Sequence, residues 1–206
     1  MLHLTTVEKD TYTLLQKLNS IPFIKNNFAL AGGTSLSLQI GHRQSIDLDF
    51  FCTTPFDLDE LEIVLSSNNG LSFEFFSKNS RMFFCYINKV KCDFVQEPAT
   101  LINPFIEIDK VLYFSTEDIA AMKMHTICGR GKRKDFFDVY SLLELYSWEE
   151  MLSFFEKKYN KNQLNILWRS MSYFEDAEND FEIVGFNPYN KNWEEIKKLI
   201  LQKCNG

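Results

Sequence analysis

The chain has 206 residues, 45% hydrophobic and 24% charged, which excludes a largely disordered polymer and allows a full hydrophobic core. Its formal net charge of −6 excludes a broadly basic nucleic-acid coat, although not one local basic site. Five scattered cysteines without CxxC spacing argue against a zinc site or disulfide framework and are expected to be free thiols.

The first residues lack a basic region followed by an apolar stretch, so no signal peptide is expected. No apolar run approaches the length that spans a bilayer, and the protein is expected to be cytoplasmic, with no membrane partner. Thr5-Thr6-Val7-Glu8 has capping-box spacing and predicts a helix running to about Asn19. Residues 28–31 read as a short buried strand, turned by Gly32-Gly33 into a helix that Gly41 ends. A second strand is predicted over 45–52, with Ile46, Leu48 and Phe50 toward the core and Asp47 and Asp49 toward a cleft.

Asp57 is expected to cap a helix lasting to Asn68-Asn69-Gly70. Strands follow over 71–76, 82–87 and 90–96, the last two joined by a hairpin turn at Asn88-Lys89, and one more over 105–113. Thr116-Glu117-Asp118 caps a predicted helix to about Cys128, and residues 133–146 form another. Ser147-Trp148-Glu149-Glu150 again has capping-box spacing, and helices are expected near 148–158, 162–174 and 191–204. The predicted class is α+β: a mixed-sheet core over residues 1–146 flanked by helices, then a helical portion over 147–206.

Ala31-Gly32-Gly33-Thr34-Ser35 followed by Asp47-Leu48-Asp49 carries the chemistry. Glycines let backbone N–H groups approach a phosphate at a helix N-terminus, where Thr34 adds a hydroxyl. Two carboxylates on alternate strand residues share a side and suit a hard divalent cation held against a triphosphate. Asp93, amid the apolar residues of 90–95, is costly to bury unless paired or metal-bound. Beside Asp47 and Asp49 in an antiparallel sheet it is expected to be a general base or a ligand to a second metal.

Residues 123–134 hold Lys123, Arg130, Lys132, Arg133 and Lys134 with no acid among them. Lys123 and Arg130, seven apart on one helix, are expected to share a face; a solvated basic stripe explains the run equally well. Asp135 and Asp138 lie at i and i+3: Asp135 is expected to cap its helix or Asp138 to pair with an arginine. His42 and Arg43 precede the acidic strand and are candidates for substrate contact, whereas His3 and His125 read as ordinary.

Four ordered blocks within residues 28–146 carry a resemblance. They are Ala31 to Leu36, Gly41 to Phe51, Asp118 to Lys123, and Arg130 to Asp138. Together they resemble the AbiEii/AbiGii-type toxin nucleotidyltransferases, of the DNA polymerase β-like superfamily. The resemblance implies a nucleotidyltransferase fold and transfer of an NMP from an NTP to an acceptor hydroxyl, on tRNA or protein. It implies that Asp47, Asp49 and Asp93 are catalytic and bind Mg²⁺, or Mn²⁺ in its place. It implies nucleotide binding by Gly32, Gly33, Thr34, Arg43, Ser45, Lys123 and Arg130, with Asp135 and Asp138 in a D-x-x-D element. It also implies a toxin with a cognate antitoxin. Two alternatives stay open: modification of a small molecule such as an antibiotic, favoured by the acidic net charge, and a nucleotide-binding module without turnover.

Overall fold

The computed structural model describes residues 1–205; Gly206, the last residue of the expected helical portion, lies outside them. Leu4–Thr6 makes one 3-10 turn before α1, Lys9–Asn19. The expected capping box does not form, because Thr5 lies within the 3-10 turn and α1 starts only after Glu8, which makes no side-chain cap. Helix α2, Pro22–Asn27, was not anticipated; Pro22 sits at its start, where a missing N–H costs nothing.

Strand β1, Ala29–Ala31, runs directly into α3, Gly32–Ile40, which ends at Gly41 in the left-handed region (φ 74). Strand β2 covers only Leu48–Cys52. Asp47 therefore precedes the strand, and Ile46 is 59% exposed instead of buried. Asp57 caps α4, Leu58–Ser66, through Asp59 N (2.9 Å) and Glu60 N (3.0 Å), as its sequence predicts.

Strands β3 (Phe73–Lys78), β4 (Met82–Ile87) and β5 (Val90–Gln96) form a meander. Its β4–β5 turn is the expected Asn88-Lys89 pair, both at positive φ. The stretch predicted as one strand over 105–113 is a hairpin, β6 (Ile106–Ile108) and β7 (Val111–Tyr113), because Asp109 and Lys110 also adopt positive φ. The helices that follow are α5 (Thr116–Gly129), α6 (Arg133–Leu143), α7 (Trp148–Lys158), α8 (Leu164–Met171) and α9 (Trp193–Asn205). Ser115, not Thr116, caps α5, and the Ser147–Glu150 capping box on α7 is present in full.

The strands make one mixed sheet in the order β3-β4-β5-β2-β1-β7-β6. Contrary to the antiparallel expectation, β2 and β5 pair in parallel, Asp49 opposite Asp93. The connection from β2 to β5 passes through α4 and the β3–β4 hairpin, long enough for a parallel return. Side-chain alternation sends Leu30, Leu48, Phe50 and Phe94 into one core with residues of α1, α2 and α4. Ala29 and Ala31 point to the opposite face, into a core built with α3 and α5 through α9. Phe136, Met151, Leu167 and Ile200 belong to that second core, so the last helices pack on the same apolar body as α5 and α6.

Candidate active site

Ala31, Asp49 and Asp93 line up in one row across β1, β2 and β5, with Phe84 of β4 beyond. Asp49 and Asp93 share the sheet face opposite Leu48, Phe50 and Phe94 because of the period of two. The Gly32 turn closes over this row. Gly32 has φ +67, and a β-carbon there would come within 2.1 Å of Asp49 Oδ2. At Gly33 a β-carbon would meet Arg43 Nη2 at 2.3 Å. Glycine is required at Gly32 by close approach and by conformation, whereas a side chain at Gly33 would displace the Arg43 guanidinium.

Thr34 fixes the approach to Asp47: its hydroxyl is bonded to Ser45 Oγ at 2.8 Å and donates to the Asp47 backbone carbonyl. Burial, then Asp93 and Asp47, push the Asp49 carboxyl up to about 6, against the pull of Lys123 and Lys91. Lys91 makes an ion pair with Asp93 Oδ2, while Asp93 Oδ1 is buried with no hydrogen-bond partner. Lys134 Nζ stands 3.7 Å from Asp47 Oδ2.

Beneath the site lies a buried charge hub. Asp138 accepts from Arg43 Nε (2.6 Å) and Nη2 (3.0 Å), and Lys123 Nζ lies 2.6 Å from its other edge. Burial alone would raise the Asp138 carboxyl, but Arg43, Lys123 and His42 hold it well below the usual range. Burial lowers His42, outweighing the pull of Asp138, so the ring is neutral; Nε2–H donates to Asp138 Oδ1 at 2.7 Å and Nδ1 is left bare. Lys123 also donates to Asp135 Oδ1 at 3.1 Å.

These groups surround a cavity of about 320 Å³ lined by Gly33, Ser45, the carboxylates Asp47, Asp49 and Asp93, and six cations: Arg43, Lys91, Lys123, Arg130, Lys132 and Lys134. Their hard carboxylate oxygens, with the orphaned Oδ1 of Asp93, fit Mg²⁺ or Mn²⁺. Among the described residues no three ligating side chains close into a ready-made cage. Mg²⁺ ordinarily completes its shell with substrate phosphates and water, so one or two carboxylates suffice.

The sequence model of the nucleotidyl transferase AbiEii toxin, of a type IV toxin–antitoxin system, matches residues 13–203. The chain belongs to the AbiEii toxin family. It is a nucleotidyltransferase. An uncharacterised protein of Aquifex aeolicus is 32% identical over 203 residues, 96% of this chain and 95% of that one. In fold, the chain is similar to a crystal structure from H. pylori described as a candidate nucleotidyltransferase (TM-score 0.57, 20% identity, 96% and 94% of the two chains). It is similar also to MenT4, a nucleotidyltransferase toxin of Mycobacterium tuberculosis (TM-score 0.57, 14% identity, 96% and 84% of the chains).

In this member of the family, all three acidic residues singled out from the sequence line one cavity. The expected shared helix face of Lys123 and Arg130 is not found. Helix α5 ends at Gly129, Arg130 follows in extended backbone, and α6 begins only at Arg133 after its N-cap Lys132. Both cations nevertheless reach Asp135, Arg130 Nε at 3.7 Å from Oδ2. Asp135 does not cap α6; Asp138 does take an arginine, Arg43. His42, read with Arg43 as a candidate for substrate contact, is buried on Asp138, whereas Arg43 pairs with Asp138 and also lines the cavity. Lys91 shares the strand face of Asp93, as alternation in the sequence predicts, and it joins the site although it was not singled out as a site residue. Lys132 and Lys134 were seen only as part of a charge run. Among the described residues no helix is long and apolar enough to cross a membrane, and all five cysteines are free.

Proposed function

We propose that this AbiEii toxin transfers a nucleoside monophosphate from an NTP to an acceptor hydroxyl on tRNA or protein, releasing pyrophosphate. The observation that carries the reading is the in-register Asp49–Asp93 pair, which opens with Asp47 into a cavity otherwise ringed by cations. Asp47 and Asp49 would hold Mg²⁺, or Mn²⁺, which supplies charge neutralisation and in-line orientation of the phosphates. Asp93, in register with Asp49 and lining the same cavity, would accept the proton of the attacking hydroxyl. The Gly32–Gly33 turn offers free N–H groups to the triphosphate, while Thr34 and Ser45 hold the Asp47 loop against it. Arg130, Lys132 and Lys134 neutralise the departing pyrophosphate. Lys123, Arg43, Asp135 and Asp138 form the charged floor that keeps the glycine turn and the acidic strand in one geometry. In this reading residues 1–146 are the transferase core and 147–206 a helical portion that braces α5 and α6.

The family and the likeness in fold to MenT4 support a toxin that works in the cytoplasm and is restrained by a cognate antitoxin. The six cations around the cavity count against a polycationic drug as acceptor. Incubation with each labelled NTP, Mg²⁺ or Mn²⁺, and total tRNA or cell lysate tests the reading. Label is expected on one macromolecular fraction from one preferred nucleotide, and is lost in Asp49→Ala. Nucleotide binding without pyrophosphate release would falsify transfer and leave a binding module.

A further inference from the structure

Two aliphatic side chains stand in water at the mouth of the catalytic cavity: Ile46 is 59% exposed and Val184 62%. Both line a second cavity of about 250 Å³. It shares Ser45, Asp47 and Lys134 with the catalytic cavity, and so opens directly from it. Gln44 and Glu182 add polar groups to the same lining.

One wall of this cavity comes from the C-terminal portion. Residues 182–186 lie antiparallel along residues 42–44. Gln44 N donates to Val184 O at 3.2 Å and Phe186 N to His42 O at 2.9 Å, with a β-bridge between Arg43 and Gly185. Just upstream, Arg133 of α6 donates through Nε to Ala177 O at 3.1 Å, and its backbone N–H donates to Asp180 Oδ2 at 2.8 Å. The strap is thus tied both to the loop that leads into Asp47 and to the helix that carries Lys134.

An NTP held by its triphosphate at the glycine turn must send its nucleoside out on one side of the carboxylates. The attacking hydroxyl approaches by Asp93. The second cavity lies on the other side, since Asp47 lines it and neither Asp49 nor Asp93 does. Its volume has room for one nucleoside and none for a macromolecular acceptor. A nucleobase is a flat apolar body with a hydrogen-bonding edge, which suits aliphatic walls beside a few polar groups. A carboxylate only accepts hydrogen bonds. Cytosine, adenine and guanine each offer it an amino group, whereas uracil presents carbonyls on both sides of its single N–H.

We propose that this second cavity is the nucleoside subsite of the transferase: the base lies between Ile46 and Val184, and Glu182 accepts a hydrogen bond from its amino group. The proposal rests on the transfer reading above and deepens it, because it makes Glu182 a determinant of which NTP is taken and disfavours UTP.

The test compares wild type with Ile46→Ser, Val184→Ser and Glu182→Gln. Calorimetry with Mg²⁺ and no acceptor gives the Kd of ATP, GTP, CTP, UTP and inorganic triphosphate; label transfer and thermal unfolding are measured alongside. Wild type is expected to bind UTP about tenfold or more weakly than its best NTP. Each serine variant is expected to raise the Kd of that NTP about fivefold and to leave that of inorganic triphosphate within about twofold. Because both aliphatic residues are exposed, unfolding temperatures should hold. Glu182→Gln is expected to narrow the UTP gap to about threefold or less, since an amide can also donate to a carbonyl. An NTP Kd unchanged in both serine variants overturns the proposal. So does an equal weakening of inorganic triphosphate, which makes the cavity a phosphate site. A KM for the acceptor that rises while the NTP Kd holds overturns it too and gives the cavity to the acceptor. UTP bound as tightly as the others by wild type, or a gap unmoved in Glu182→Gln, overturns the part given to Glu182. If wild type binds NTPs as expected yet transfers no label, the transfer reading fails and the nucleoside subsite stands.

Discussion

Asp49 Oδ2 occupies the space that a side chain at residue 32 would need, 2.1 Å from the position of an added β-carbon on Gly32. Gly32 also has φ +67, so one residue meets two demands, a left-handed backbone and a passage for the carboxylate. Gly32→Ala is expected to cost about 1–3 kcal/mol of stability and to displace Asp49, abolishing label transfer. Gly129→Ala, where an added β-carbon meets nothing within 4 Å, is the control. It is expected to keep full activity, with an unfolding temperature unchanged or slightly higher.

Asp49 yields a pH-dependent prediction. Its folded-state carboxyl, pushed up to about 6 from 3.8, makes ionisation a burden on the native state. That burden is absent at acid pH where both states are protonated, grows between the two values, and is complete above the folded one. Asp49→Asn is therefore expected to be more stable than wild type at neutral pH, by about 1–2 kcal/mol after allowance for solvent screening. Thermal unfolding as a function of pH checks this: the two curves should converge near pH 4, roughly the unfolded value. In wild type, Mn²⁺ affinity is expected to fall as pH drops through the same interval.

Asp138 joins three positively charged or donating side chains from two other parts of the chain, and none of its surface is exposed. Asp138→Asn leaves Arg43 and Lys123 buried without their counter-charge, so a loss of about 3–5 kcal/mol is expected in chemical denaturation. Because the hub holds Arg43 beneath Gly33, KM for NTP should rise in whatever fraction stays folded.

Lys158 and Asp118 form a fully buried ion pair, at 2.8 Å, and neither lines the cavity. Asp118 also accepts from Ile102 N (3.0 Å), Asn103 N (3.1 Å) and Ser115 Oγ (2.9 Å), tying the loop before β6 to α5. Lys158→Met is expected to destabilise by about 3–5 kcal/mol and to speed amide exchange at Ile102 and Asn103. Its kcat at a temperature where it stays folded should match wild type, which separates this scaffold pair from the Asp138 hub.

Local rules made much of this molecule legible without coordinates. The glycine turn, the alternation that puts Asp49 opposite Leu48 and Phe50, the Asp57 and Ser147 caps, and the Asn88-Lys89 turn each depend on residues within a few positions of one another. Their physics is contained in short stretches of backbone. The same rules misled where a distant partner competed. Thr5 is taken up in a 3-10 turn instead of capping α1, and Ile46 is left exposed because its loop is held by Ser45, Thr34 and Asp47.

Local patterning thus determined the α+β class and the residue types of the reaction centre, and the resemblance of four ordered blocks pointed to the family that the family model then matched. Tertiary structure alone decided that β2 and β5 run parallel, that α5 stops before Arg130, and that His42 and Arg43 turn inward onto Asp138. Strand direction depends on how a connection of more than thirty residues folds back, and a buried charge finds its partner only when packing excludes water. Neither condition is written in the neighbourhood of the residues concerned.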